Sequence, residues 1–133
     1  MVKLFWIALG GSLGALLRHG LSSLAHRLLP PSFPWGTLAA NLSGCFLIGV
    51  LWVVAAEYSF SQNVRVFVFT GGIGSLTTFS TYSLESLMLL REGRVLRGLG
   101  NVLISNVIGL ALVALGIGCA LLLLGEPVSG VDA

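Results

Sequence analysis

Phe69-Thr70-Gly71-Gly72-Ile73-Gly74-Ser75-Leu76-Thr77-Thr78-Phe79-Ser80-Thr81-Tyr82-Ser83-Leu84-Glu85 is the stretch on which the fold of this chain turns. It lies in an apolar segment, yet holds three glycines within four residues and seven serines or threonines between Thr70 and Ser83. Glycine weakens a helix by about 1 kcal/mol relative to alanine. In lipid a helix breaks only where protein or a water-filled cavity satisfies the freed backbone groups. The stretch therefore predicts a discontinuous helix near Gly74 to Phe79. The competing reading is an intact helix whose hydroxyls bond back to their own carbonyls.

The rest of the chain says which solvent surrounds that stretch. Of 133 residues, 56% are hydrophobic and 9% are Asp, Glu, Lys or Arg, and the mean hydropathy is +0.99. Soluble domains carry about 25% charged residues, so an ordinary water-facing surface cannot be built. A spanning helix needs about 20 mostly apolar residues. Four segments qualify, at about 4–24, 35–56, 64–90 and 96–124. Pro30-Pro31 closes the first, the polar run from Glu57 to Asn63 follows the second, and Glu126-Pro127 ends the fourth. The expected fold is an all-α integral membrane protein, a single four-helix domain over residues 1–133. Lys3, the apolar run after it and Ser23-Leu24-Ala25 superficially resemble a signal peptide. Arg18 and His19 interrupt that run first, and no soluble domain follows.

Charge is confined mostly to the connections. The net charge of +2 is too weak to argue for nucleic acid. Arg91, Glu92, Arg94 and Arg97 crowd the third connection, and Trp6, Trp35 and Trp52 lie near span ends, where interfacial aromatics belong. With four spans, Lys3 and Arg65 fall on one side, and Arg27, Arg91, Arg94 and Arg97 on the other. That weak bias is compatible with one preferred topology and with insertion in both directions. Gly10 with Gly14, and Gly36, Ala40 and Gly44 on a second stripe, predict close helix contacts, within one subunit or between two.

Four polar groups besides the hydroxyls of the central stretch sit inside spans: Arg18, Asn41, Glu85 and Asn106. Ionisable residues at membrane depth are costly and usually face an interior or a cavity. Arg18 can also snorkel to the interface. Asn41 brings two donors and an acceptor to an otherwise apolar helix. Ser105 and Asn106 form a similar patch on the fourth span, explained equally by interhelical hydrogen bonding. Phe79 and Tyr82, three apart, share a helix face. Aromatic rings carry a positive edge, so two edges turned to a pathway favour a small anion without a full charge; in isolation such a pair is more often core. Cys45 and Cys119 read as small buried residues, and His19 and His26 form no cluster with them. Gly71-Gly72-Ile73-Gly74-Ser75 lacks the ending of a phosphate loop, and Gly10-Gly11-Ser12-Leu13-Gly14 is not a dinucleotide fingerprint. No catalytic constellation is present, and the chain is not expected to be an enzyme.

Taken together, these residues resemble the CrcB/Fluc family of small fluoride channels over nearly the whole chain. Gly10-Gly11-Ser12-Leu13-Gly14-Ala15 with Arg18 is similar to the family's first-helix signature. Gly36-Thr37-Leu38-Ala39-Ala40-Asn41-Leu42-Ser43-Gly44 is similar to the second, and Gly74 to Ser83 with Glu85 to the third, the most specific of them. The resemblance implies a passive fluoride-selective channel exporting cytoplasmic fluoride from an inner or plasma membrane. It implies an antiparallel, dual-topology homodimer with two pores and a central structural sodium ion. Asn41 would then line a pore as a donor, Phe79 and Tyr82 would present ring edges, and Ser80, Thr81 and Ser105 would form a polar track. The sodium would rest on backbone carbonyls of Gly74 and Thr77, with Arg18 in a vestibule or interface. Its partners would be fluoride, a second copy of the chain and the bilayer. One departure stands out: many members have phenylalanine where this chain has Tyr82, so a hydroxyl is added to the ring.

The main rival is a dual-topology small multidrug-type cation exporter, which shares the size and the four-helix plan. That mechanism favours a carboxylate within the first span. Here the first span carries Arg18 and no acid. A non-transporting assembly subunit, in turn, needs no aromatic, hydroxyl-rich broken helix.

Overall fold

In lipid, apolar runs of this length satisfy their backbone by hydrogen bonding within each segment, and the chain is helical throughout. The computed structural model describes residues 2–125, with no strand among them. The Glu126-Pro127 stop after the fourth span lies outside these residues. Five helices follow in order: α1 (Val2–Leu28), α2 (Trp35–Glu57), α3 (62–76), α4 (Phe79–Arg91) and α5 (Val95–Leu124). α1, α2 and α5 are each long and apolar enough to cross a membrane. The remaining apolar stretch is divided between α3 and α4. Four spans fit this arrangement, and the chain is a multi-pass membrane protein. At 27 residues, α1 is longer than the apolar run 4–24, because about 1.5 Å per residue carries its ends past a hydrocarbon core of about 30 Å.

The outer faces confirm which solvent the helices meet. Leu16, Leu17, Leu110, Leu122 and Leu123 stand exposed, while the described core is dominated by small and aliphatic residues such as Ala40, Val53, Ala55 and Ala120. Short connections bring loops of one side together. Arg97 donates from Nη1 to the Ser32 carbonyl at 3.3 Å, linking the loop before α2 to the start of α5. Gly93, at φ +73°, makes the turn between α4 and α5 in a conformation that a side chain disfavours.

Both glycine stripes are used inside the single chain. α1 lies against α3, and a Cβ on Gly10 would overlap the Phe67 carbonyl oxygen, while one on Gly14 would overlap that of Gly72. Gly36 meets Ser22 of α1, and Gly44 faces the Thr77 side chain. Backbones this close leave no room for a methyl group. Gly14→Ala is therefore expected to destabilise the fold by about 1–3 kcal/mol, the range for overpacking. Gly118→Ala, where the added methyl meets open space, should be tolerated. Thermal loss of the monodisperse peak in detergent checks the pair; equal melting of both variants would contradict the packing.

Two features of the helices are not visible in the residue pattern. Val66–Ile73 within α3 and Ile104–Ile108 within α5 are π-helical, with hydrogen bonds reaching one residue further than in an α-helix. A buried polar link then joins α4 to α5. Asn101, 1% exposed, donates to Ser86 Oγ at 2.8 Å. The Ser86 hydroxyl in turn donates to the Tyr82 carbonyl at 2.7 Å.

Candidate functional site

Between α3 and α4 the backbone leaves helical geometry at two threonines. Thr77 has φ −86°, ψ 156°, and Thr78 has φ −148°, ψ 110°. β-branched residues favour this extended region. The glycines of the stretch, by contrast, stay helical; Gly71 is in close contact with Ile7, Gly10 and Gly11 of α1.

Side chains replace the hydrogen bonds that an unbroken helix would supply. Asn41 pairs with Thr78 as a strand neighbour would: Thr78 N–H donates to Asn41 Oδ1 at 2.7 Å, and Asn41 Nδ2 donates to the Thr78 carbonyl at 3.2 Å. The Thr78 hydroxyl caps α4, accepting from Thr81 N–H at 3.4 Å and donating to Thr81 Oγ1 at 3.0 Å. Thr77 N–H and Oγ1 both donate to the Ile73 carbonyl, each at 3.1 Å. Because Thr78 N–H goes to Asn41, the Gly74 carbonyl is left without the donor that a continuous helix gives it.

One turn before Asn41, Thr37 reaches the same span. Its Oγ1 donates to Glu85 Oε1 at 2.9 Å, while Glu85 Oε2 is buried without a partner among the described residues. Thr37 and Asn41 are four apart on one face of α2, so this face holds α4 and the junction before it. That spacing was a legible signal for Thr37, which sequence reasoning missed as a candidate.

Two cavities meet at the junction. The first, of about 310 Å³, is lined by Asn41, Gly44, Cys45, Ile48, Ile73, Thr77, Thr78, Phe79, Tyr82, Ser105 and Asn106. The second, of about 320 Å³, is lined by Ala15, Arg18, His19, Ser22, Thr37, Thr78 and Thr81. Thr78 lines both, a position its sequence context did not single out.

The structure thus brings Asn41, Phe79, Tyr82 and Ser105 around one cavity, with Thr77 and Asn106 joining them. It places Thr81 with Arg18 around the other. Ser80 lines neither of these two; it is exposed, its Oγ 3.5 Å from Thr78 Oγ1. Gly74 also lines neither and is exposed on α3.

The wall of the first cavity carries no charged side chain, only hydroxyls, two amides, a thiol, ring and aliphatic groups. Phe79, 77% exposed, stands at its rim with its ring centroid 5.6 Å from that of Tyr82, the planes tilted by 51°. Ser105 Oγ is buried there without a partner among the described residues. Asn41 has used one of its two N–H donors on Thr78 and keeps the other. Such a wall offers several neutral donors to a small anion and no formal charge to trap it.

Comparison with known proteins agrees with this chemistry. The profile of CrcB-like protein, Camphor Resistance (CrcB), matches residues 5–117. A protein of Salinibacter ruber named fluoride-specific ion channel FluC is 75% identical over 133 residues, covering all of both chains. A Parabacteroides distasonis protein of the same name is 46% identical over 117 residues, 88% of this chain and 91% of that one. Another from Nitrosococcus oceani is 43% identical over 115 residues, 86% of this chain and 92% of that one.

Proposed function

The chain belongs to the CrcB family, and from that premise we propose that it is a passive fluoride-selective channel through which cytoplasmic fluoride leaves the cell. The family is one of ion channels, not of enzymes. The observation that carries the reading is the neutral, donor-lined cavity at the junction of α3 and α4.

Fluoride is small and tightly hydrated, so a pore has to replace its water shell, as filters do for other ions. The free N–H of Asn41, the Ser105 hydroxyl, the Tyr82 hydroxyl and the ring edges at Phe79 and Tyr82 provide that replacement. Thr81, and Ser80 beside it, extend the donors towards the second cavity, where Arg18 draws anions to a vestibule. Neutral donors hold the ion loosely enough to release it. α3 and α4 together act as one discontinuous span, with the Asn41–Thr78 pairing closing its break.

The working unit is an antiparallel homodimer with two pores, its copies inserted in opposite orientations. The exposed Phe79 and the apolar faces beside it support a second copy as the missing wall. A sodium ion would fit the donor set, since the carbonyls of Gly74 and Thr77, which would hold it, are hard oxygen ligands. When bound, the cation offsets the repulsion between anions in a low dielectric. The chain's own residues hold the carbonyls in place: Asn41 fixes Thr78, and Thr77 is anchored to Ile73.

Direction follows from acid chemistry. Hydrofluoric acid crosses membranes as the neutral molecule and dissociates inside, so a passive path for the anion runs outward. Expression of the chain in a fluoride-hypersensitive bacterium is expected to restore growth on fluoride. Expression at the membrane without any rescue would contradict an exporting role.

A further inference from the structure

The geometry points to Asn106 as a positioning residue for Tyr82, one that holds the tyrosine hydroxyl with its proton turned towards the anion; the inference rests on the channel reading above. Asn106 Nδ2 lies 2.7 Å from the Val102 carbonyl and 3.0 Å from Tyr82 Oη. A carbonyl oxygen only accepts, so the amide nitrogen, and not its oxygen, faces Val102. The second hydrogen of that nitrogen then reaches Tyr82, whose hydroxyl has to accept it. A phenol has one proton, and no acceptor among the described residues takes the one on Tyr82. In a residue that lines the cavity, the hydroxyl is thus a committed acceptor with an uncommitted donor.

The backbone explains how one helix supplies this. The π-helical turn at Ile104–Ile108 holds more residues per turn than an α-helix. Ser105 and Asn106, adjacent in sequence, both line the cavity. Ser105 brings a second hydroxyl without a partner, and Asn106 orients the first. Tyr82 is held from the other end as well, its carbonyl accepting from the Ser86 hydroxyl at 2.7 Å. Remove the Asn106 amide and the phenol is free to rotate, presenting lone pairs where an anion needs a proton.

The test is a double-mutant comparison of fluoride efflux from liposomes carrying the full chain. Asn106→Leu and Asn106→Ala, neither able to donate to the phenol, are each expected to slow efflux about fivefold in the Tyr82 background, the factor commanded by one neutral hydrogen bond. Tyr82→Phe keeps the ring and removes the hydroxyl, so adding either Asn106 substitution to it should change nothing further. Slowing by the same factor in both backgrounds, or no slowing beside Tyr82, overturns the inference. So does failure of both Asn106 variants to assemble, which would make the residue a support of the fold. A parent protein that passes no fluoride overturns the channel reading itself, and is told apart because it shows before any variant is compared.

Discussion

Asn41→Asp is expected to cut fluoride flux by roughly a hundredfold or more while leaving the protein assembled, because one added charge at about 4 Å from a passing anion costs about 4 kcal/mol at an effective dielectric of 20. The substitution changes one atom type at a site of known geometry. Asn41 Oδ1 would still accept from Thr78 N–H, 2.7 Å away. The donor to the Thr78 carbonyl at 3.2 Å would become an oxygen facing an oxygen. The remaining N–H, which the account assigns to the anion, would disappear. Efflux measured with a fluoride electrode, alongside size-exclusion elution of the same preparation, separates loss of conduction from loss of assembly. Undiminished flux through Asn41→Asp would remove Asn41 from the pathway.

Phe79→Ile is the second substitution with a large expected effect. Isoleucine keeps an apolar side chain at the start of α4 but has no positive ring edge. Phe79 stands at the cavity rim, tilted against Tyr82, where the channel reading has its edge meet the ion. Loss of about 1.4 kcal/mol of interaction is a factor of ten, and flux is expected to fall by at least about that much. Phe79→Tyr, which retains the edge, should conduct. Equal flux through Phe79→Ile and the parent would show that the ring serves packing alone.

What was legible in the residues, and what was not, divides along physical lines. Membrane spans follow from composition, since runs of twenty apolar residues have no other stable home. The polar weight of 70–83 likewise marks the stretch that sends Thr77, Thr78, Phe79 and Tyr82 to the first cavity. Which residues there leave helical geometry is another matter. Glycine content drew attention to Gly71, Gly72 and Gly74, yet those stay helical, and the extended residues are Thr77 and Thr78. Absence of a Cβ lets Gly71 approach α1, a requirement of packing that looks the same in sequence as a requirement of flexibility.

The partnerships of the site are long-range, and single-chain periodicity has no term for them. Asn41 stands out as polar in an apolar helix, but its two bonds to Thr78 depend on α2 lying beside the junction. Thr37 and Glu85, 48 residues apart, meet for the same reason. π-helical turns are defined by hydrogen-bond register and leave no mark in residue type, so the polar patch of Ser105 and Asn106 was legible while the cavity they share was not. Tyr82 is the instructive case: its hydroxyl was visible in sequence, and only the Asn106 contact at 3.0 Å shows that its oxygen accepts.

The central claim is passive, selective movement of fluoride. Purified protein in liposomes loaded with potassium fluoride or potassium chloride, with valinomycin supplying the compensating potassium path, tests it most directly. The account predicts rapid fluoride efflux on valinomycin addition, none without it, and retention of nearly all the chloride. Monodisperse protein that releases no fluoride, or releases chloride as fast, would contradict it.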